Sequence, residues 1–256
     1  MNHIPRRRVV TGLAGLSLAS LLADPVKLAR AAASLSDITI TTAGGRQVSG
    51  ALGIPATTPA PTVLLVHEWW GLNPQIRGVA AELSNLGFVT LAVDLYGGKV
   101  ATDPDTARSL AGAVMPAEAI DTLSSWIDAL RKRPYANGKL ATIGWCFGGG
   151  WSLRASLARP VDATVIYYGD VTPSEDALKA LQGPVLGHFG NLDKFITPDS
   201  VNTFEARLKH LGKKATIYRY DANHAFANPT GQNYQAADAR LAWDRTVAFL
   251  KATIGG

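Results

Sequence analysis

One junction restricts the possible folds of this chain more than any other segment. The apolar run at residues 140–143 (LATI) passes directly into Gly144-Trp145-Cys146-Phe147-Gly148-Gly149-Gly150. A short apolar run of this kind suits a strand buried on both faces. The glycines behind it lack Cβ atoms, so the chain can turn sharply and lay a helix back against the strand it has just left. A buried strand, a tight turn and a helix in that order belong to a sheet covered on both faces, not to a bundle or an open meander.

The rest of the sequence keeps that rhythm. Residues 37–42 and 48–54 alternate apolar and polar side chains around Gly44-Gly45, which predicts an opening β-hairpin. Buried strands are expected at residues 62–67, 89–93, 140–143, 163–168, 185–189 and 216–220. Helices are expected at residues 75–86, 116–131, 149–158, 198–211 and 234–251. This alternation predicts an α/β fold, a mainly parallel central sheet with helices on both faces. No internal repeat, low-complexity segment or interdomain linker interrupts it.

In open parallel sheets, ligands bind beyond the carboxyl ends of the strands. The residues expected there are Glu68-Trp69-Trp70, Asp94, Cys146, Asp193 and His224. Cys146 is the only cysteine of the chain and occupies the centre of a G-x-C-x-G turn between strand and helix, the form of a nucleophile elbow with cysteine in place of serine. The helix N-terminus behind it favours a thiolate. Asp193 and His224 complete the order nucleophile, acid, base at intervals of 47 and 31 residues, enough for one strand–helix step each. A carboxylate is needed to orient an imidazole, and an imidazole to take and return a proton. His67, at a strand end beside the site, competes with His224 for the base, and Asp94 competes with Asp193, although its strand precedes the nucleophile.

Taken in order, Glu68, Asp94-Leu95-Tyr96, Asn137-Gly138-Lys139, the segment from Gly144 to Gly149, Gly190-Asn191-Leu192-Asp193 and His224-Ala225-Phe226 resemble the successive motifs of the dienelactone hydrolase family. The resemblance implies an α/β-hydrolase fold with Cys146 as nucleophile, His224 as base and Asp193 as its orienting acid. It also implies that Glu68 contacts the cysteine and helps form the thiolate when substrate arrives. Backbone N–H groups of Phe147 and Trp69 are the expected oxyanion donors. Trp70 and Trp145, together with Trp69, are candidate walls of an apolar pocket.

One position departs from the family. An arginine that holds the substrate carboxylate there is replaced by Asn228, and Arg108 is the nearest candidate for a second family arginine. The expected chemistry is hydrolysis of a small carboxylic ester or lactone, with a noncatalytic ligand-binding protein on the same scaffold as the alternative. A redox role for Cys146 is disfavoured, because no second cysteine can resolve an oxidised thiol. No metal or cofactor is expected, since there is no HExxH, no paired-cysteine spacing and no phosphate-binding lysine loop.

Residues 1–33 read as an export signal. Arg6-Arg7-Arg8 precede an uncharged run at residues 9–23, and Ala31-Ala32-Ala33 offers small residues for a signal peptidase. Consecutive arginines before a modest apolar core resemble a twin-arginine signal. The run is short for a membrane span, so no stable anchor is expected. The expected destination is the bacterial periplasm, with export machinery and signal peptidase as the protein partners. Residues 34–256 then form one hydrolase domain. The whole chain carries 25 basic and 20 acidic residues; losing residues 1–33 removes five of the former and Asp24, leaving 20 and 19. A mature charge of +1 gives no ground for nucleic-acid binding. With 47% apolar and 18% charged residues, disordered and fibrous classes are excluded.

Overall fold

The computed structural model describes residues 25–255. Arg6-Arg7-Arg8 and residues 9–23, on which the export reading rests, lie outside the described residues. The first described element is a helix, α1 (Pro25–Ala32), whose Leu28 packs on the core of the domain.

Eight strands follow: β1 (Ser36–Thr41), β2 (Gln47–Gly53), β3 (Ala60–Val66), β4 (Val89–Val93), β5 (Ala136–Trp145), β6 (Ala163–Tyr167), β7 (Val185–Gly190) and β8 (Ala215–Tyr220). They form one sheet in the order β1-β2-β4-β3-β5-β6-β7-β8. β1 and β2 pair antiparallel as the expected hairpin, and β2 pairs antiparallel with β4. Every pair from β4 through β3, β5, β6 and β7 to β8 is parallel. Hydrophobic patterning explains the order. Every residue of β4, β6 and β7 is buried, whereas edge strand β1 keeps its alternation of exposed and half-buried positions.

The helices are α2 (Pro74–Asn85), α3 (Pro104–Ala113), α4 (Pro116–Arg131), α5 (Phe147–Ala158), α6 (Glu175–Leu178), α7 (Pro198–His210) and α8 (Ala236–Thr253). Starts of α2, α3 and α7 share one device. Asn73, Asp103 and Thr197 each cap the free N–H groups of the first turn, and a proline follows at the first helical position. Helices α3 and α6 carry no clear periodic signal in the sequence; α3 buries only Ala107, so it has no apolar stripe to read. The apolar groups gather in clusters on both faces of the sheet. None of the described helices is long and apolar enough to cross a membrane.

This architecture places the ends of β3, β4, β5, β6, β7 and β8 along one edge, because parallel strands share a direction. Glu68, Asp94, Cys146, Tyr168, Asp193 and His224 all follow those ends.

Candidate active site

Cys146 stands between β5 and α5 with φ 53° and ψ −118°, a backbone state that L-residues rarely adopt. Two neighbours make that turn possible. A Cβ on Gly144 would run into the carbonyl of Gly148, and a Cβ on Gly148 into the carbonyl of Val66 on β3. The turn is tied at both ends: Cys146 N–H donates to the Tyr167 carbonyl (3.0 Å), and the Cys146 carbonyl accepts from Gly149 N–H (3.0 Å). Two other non-glycine residues with positive φ, among those described, are Tyr168 (36°) and Ala225 (62°). All three border the same edge. Such strain costs on the order of 1–3 kcal/mol per residue and persists only where the surroundings fix it.

The sulfur lies 3.0 Å from His224 Nε2, and His224 Nδ1 lies 2.7 Å from Asp193 Oδ2. The other oxygen of Asp193 accepts from the N–H groups of Phe195 (2.8 Å) and Ile196 (3.0 Å), so the carboxylate cannot swing away from the imidazole. The histidine loop is anchored on both sides. Asn233 donates to the His224 carbonyl (2.9 Å), and fully buried Phe226 packs its ring against Tyr168 and Tyr220. Burial alone would lower the pKa of His224. The hydrogen bonds to Asp193 and Cys146, with the charges of both, outweigh it and push the group up to about 10. At neutral pH the imidazole therefore holds two protons.

The competing residues are occupied elsewhere. His67 is fully buried; its Nδ1 faces the Glu68 carbonyl at 2.6 Å, and its Nε2 accepts from Leu95 N–H at 3.2 Å. That pattern fixes the neutral Nδ1–H tautomer, and burial lowers its pKa. Asp94 organises its own turn, accepting from Tyr96 N–H at 2.8 Å and from Gly98 N–H.

Glu68 is also buried, beyond β3. Its Oε1 accepts from the Tyr168 hydroxyl (3.3 Å), and its Oε2 from Asn228 Nδ2. Removal from water raises its pKa to about 7, against the opposing pull of His224 and of these two hydrogen bonds. Both donors are neutral, so neither neutralises the carboxylate charge.

Comparison with known proteins matches residues 48–254 to the dienelactone hydrolase family. This chain belongs to that family. A carboxymethylenebutenolidase of Cupriavidus pinatubonensis is 28% identical over 229 residues, covering 84% of this chain and 97% of the relative. That of Pseudomonas putida is 29% identical over 225 residues, covering 83% and 94%. Among solved structures, a dienelactone hydrolase-like promiscuous phosphotriesterase from metagenomic libraries shares the fold with TM-score 0.76 at 22% identity, covering 87% of this chain and all of that one. An esterase of Pyrococcus furiosus shares it with TM-score 0.63 at 17% identity, covering 86% and 93%. The family and the α/β-hydrolase architecture identify a hydrolase.

Within this dienelactone hydrolase family member, the remaining expected residues separate. Trp70 lines a cleft of about 260 Å³ together with Asn228 and Val100. Trp69 packs edge-on against Trp70, at 5.1 Å between ring centroids. Trp145 belongs to the core instead: it is buried, stacked 5.4 Å from Tyr167, and does not line the cleft. Arg108 is also away from the cleft lining, exposed on α3 and paired with Asp105 at 2.8 Å. Asn228 has a second role besides lining the cleft, since its amide holds Glu68.

Tyr168 and Phe195 were not anticipated from the sequence. Tyr168 reaches Glu68 and lies edge-on to His224, at 5.3 Å between centroids, and Phe195 flanks the same imidazole at 5.4 Å. Tyr168 had a readable signal, as the residue after buried strand β6 at the carboxyl edge. Among the described residues no cluster of His, Cys, Asp or Glu is arranged to hold a metal ion.

Proposed function

We propose that this protein hydrolyses small carboxylic esters or lactones through a thioester on Cys146. The supporting observation is the continuous line from Sγ to Nε2 (3.0 Å) and from Nδ1 to Asp193 Oδ2 (2.7 Å), with Cys146 on a strained turn. In the first step the thiolate attacks the acyl carbon, and the bond to the leaving oxygen breaks. That oxygen takes the proton from His224 Nε2. In the second step water attacks the thioester and gives a proton back to His224; the acid leaves and the thiolate returns. Asp193 holds the imidazole in the required orientation throughout.

For the oxyanion we assign the N–H groups of Phe147 and Trp69. Phe147 is the first residue of α5, where the N–H has no intrahelical acceptor. Trp69 follows Glu68 at the end of β3, and neither N–H donates to a backbone carbonyl among the described residues. Glu68, reached only by neutral donors, acts as a proton-accepting group next to the site. Replacing Cys146 with alanine should leave a folded protein and reduce turnover of p-nitrophenyl acetate by several powers of ten. Unchanged turnover in that variant would refute the assignment.

We also propose export to the periplasm, on the strength of Arg6-Arg7-Arg8, the apolar run behind them and the alanines at 31–33. N-terminal sequencing of the native protein should begin near residue 34. Recovery of an intact N-terminus from a cytosolic fraction would contradict export.

A further inference from the structure

The cleft beside Glu68 has a chemical character that restricts what the site accepts. Its walls include the apolar Trp70, Val100 and Ala101 and the neutral polar Asn73, Asn228 and Thr230. No side chain in that lining is ionisable. Several of the polar atoms are already committed. Asn228 gives its amide N–H to Glu68, and its Oδ1 accepts from both the N–H (2.9 Å) and the hydroxyl (2.8 Å) of Thr230. Asn73 spends its side-chain oxygen capping α2 through Ile76 N–H at 3.1 Å.

Among the described residues, no arginine or lysine lines the cleft. Arg77, on α2, is paired with Asp37 at 2.7 Å, and Arg108 is paired with Asp105 on the surface. Lys99 and Lys194 adjoin the site in sequence, but both are exposed and neither lines the cleft. An ammonium in water contributes little to holding an anion, because solvent screens it and the long side chain must be ordered. Directly behind Asn228 is the Glu68 carboxyl, which is acidic. A carboxylate brought into the cleft would lose water and gain no ion pair from the side chains that line it. An apolar or aromatic group would lose only unfavourable hydration and gain the face of Trp70.

We propose that this site selects uncharged acyl substrates whose non-reacting part is apolar or aromatic and lies in the cleft against Trp70, and that it discriminates against carboxylated ones. The inference rests on the ester-hydrolase reading above and specifies its substrate class.

The test is a matched pair differing in one charge: p-nitrophenyl hydrogen succinate, and the same molecule with its free carboxyl as the methyl ester. The wild-type protein should turn over the neutral ester with kcat/KM at least tenfold higher. Val100→Arg, at an exposed position of the cleft wall, should raise the ratio of kcat/KM for the acid to that for the neutral ester fivefold or more. Trp70→Ala should lower kcat/KM for p-nitrophenyl 3-phenylpropionate at least fivefold more than for the acetate. Equal or better turnover of the acid by wild-type protein overturns the inference and leaves the hydrolase standing. So does a ratio unmoved in both Val100→Arg and Val100→Lys, each verified as folded. No turnover of any of these esters overturns the hydrolase reading and the inference with it.

Discussion

Two histidines on neighbouring parts of the sheet are driven to opposite charge states. His188 lies within β7, fully buried; His224 follows β8, half-buried at the carboxyl edge. Around His188 the partners are hydroxyls. Arg245 donates to the Tyr220 oxygen (3.1 Å), which leaves the tyrosine proton for His188 Nδ1 (2.8 Å), while Nε2–H points to Thr246 Oγ1 (3.0 Å). Burial, with the positive Arg245 nearby, pushes this imidazole down to about 3. His224 is also largely removed from water, yet its carboxylate and thiol partners push it up to about 10. Burial is common to both. What separates the two imidazoles is their partners: hydroxyls around His188, a carboxylate and a sulfur around His224.

The contrast predicts separable consequences. His224→Asn should lower kcat/KM for p-nitrophenyl acetate by about a thousandfold or more, the scale on which triad members act. His188→Leu should leave that value within about threefold. Similar losses in both variants would erase the distinction.

Glu68 sharpens it further, as a buried acid with neutral partners. The folded carboxyl keeps its proton up to about pH 7, whereas an unfolded chain releases it near 4.5. Stability is therefore lost as pH rises from 4.5 through 7, and the cost is complete above 7. A shift of this size corresponds to about 3 kcal/mol at most. Glu68→Gln keeps the shape, and the Tyr168 hydroxyl can turn to accept from the new amide. Urea unfolding should show the variant gaining up to about 3 kcal/mol over wild type on going from pH 4.5 to pH 8. A pH-independent difference would show that Glu68 is already ionised at low pH.

The smallest effect belongs to His188. Losing its ring removes a partner from Tyr220 and Thr246, which still bond to Arg245 and Tyr167, so His188→Leu should cost about 1–3 kcal/mol at pH 8. The deficit should shrink toward pH 4. Below about 6.5 an unfolded chain takes up a proton that the folded imidazole refuses until about pH 3, and the variant escapes that loss. A deficit that grows on acidification would mean His188 is charged in the fold.

Most of this arrangement was legible in the sequence for one reason: parallel strands buried on both faces read as unbroken apolar runs, and the reactive residues follow them. Cys146, Asp193 and His224 were found this way, and β4 and α4 match their expected limits. What was not legible depends on contacts without sequence pattern. Asn228 and Glu68 are 160 residues apart, so nothing local indicates that one holds the other. Helix α3 has no buried stripe, and its exposed Arg108 could not be placed by periodicity. Trp145, a candidate pocket wall in the sequence, is buried and stacked on Tyr167, because a tryptophan at a strand end can join the core as readily as a pocket.

The central claim is that Cys146 carries the acyl group during turnover. Reaction with p-nitrophenyl acetate, quenched in acid within the first turnover and digested for mass spectrometry, addresses it directly. The peptide containing Cys146 should carry one acetyl group, the adduct should disappear as substrate is exhausted, and the Cys146→Ala protein should show none. Turnover by wild-type protein with an unmodified Cys146, or with the acetyl group on another side chain, would contradict the account.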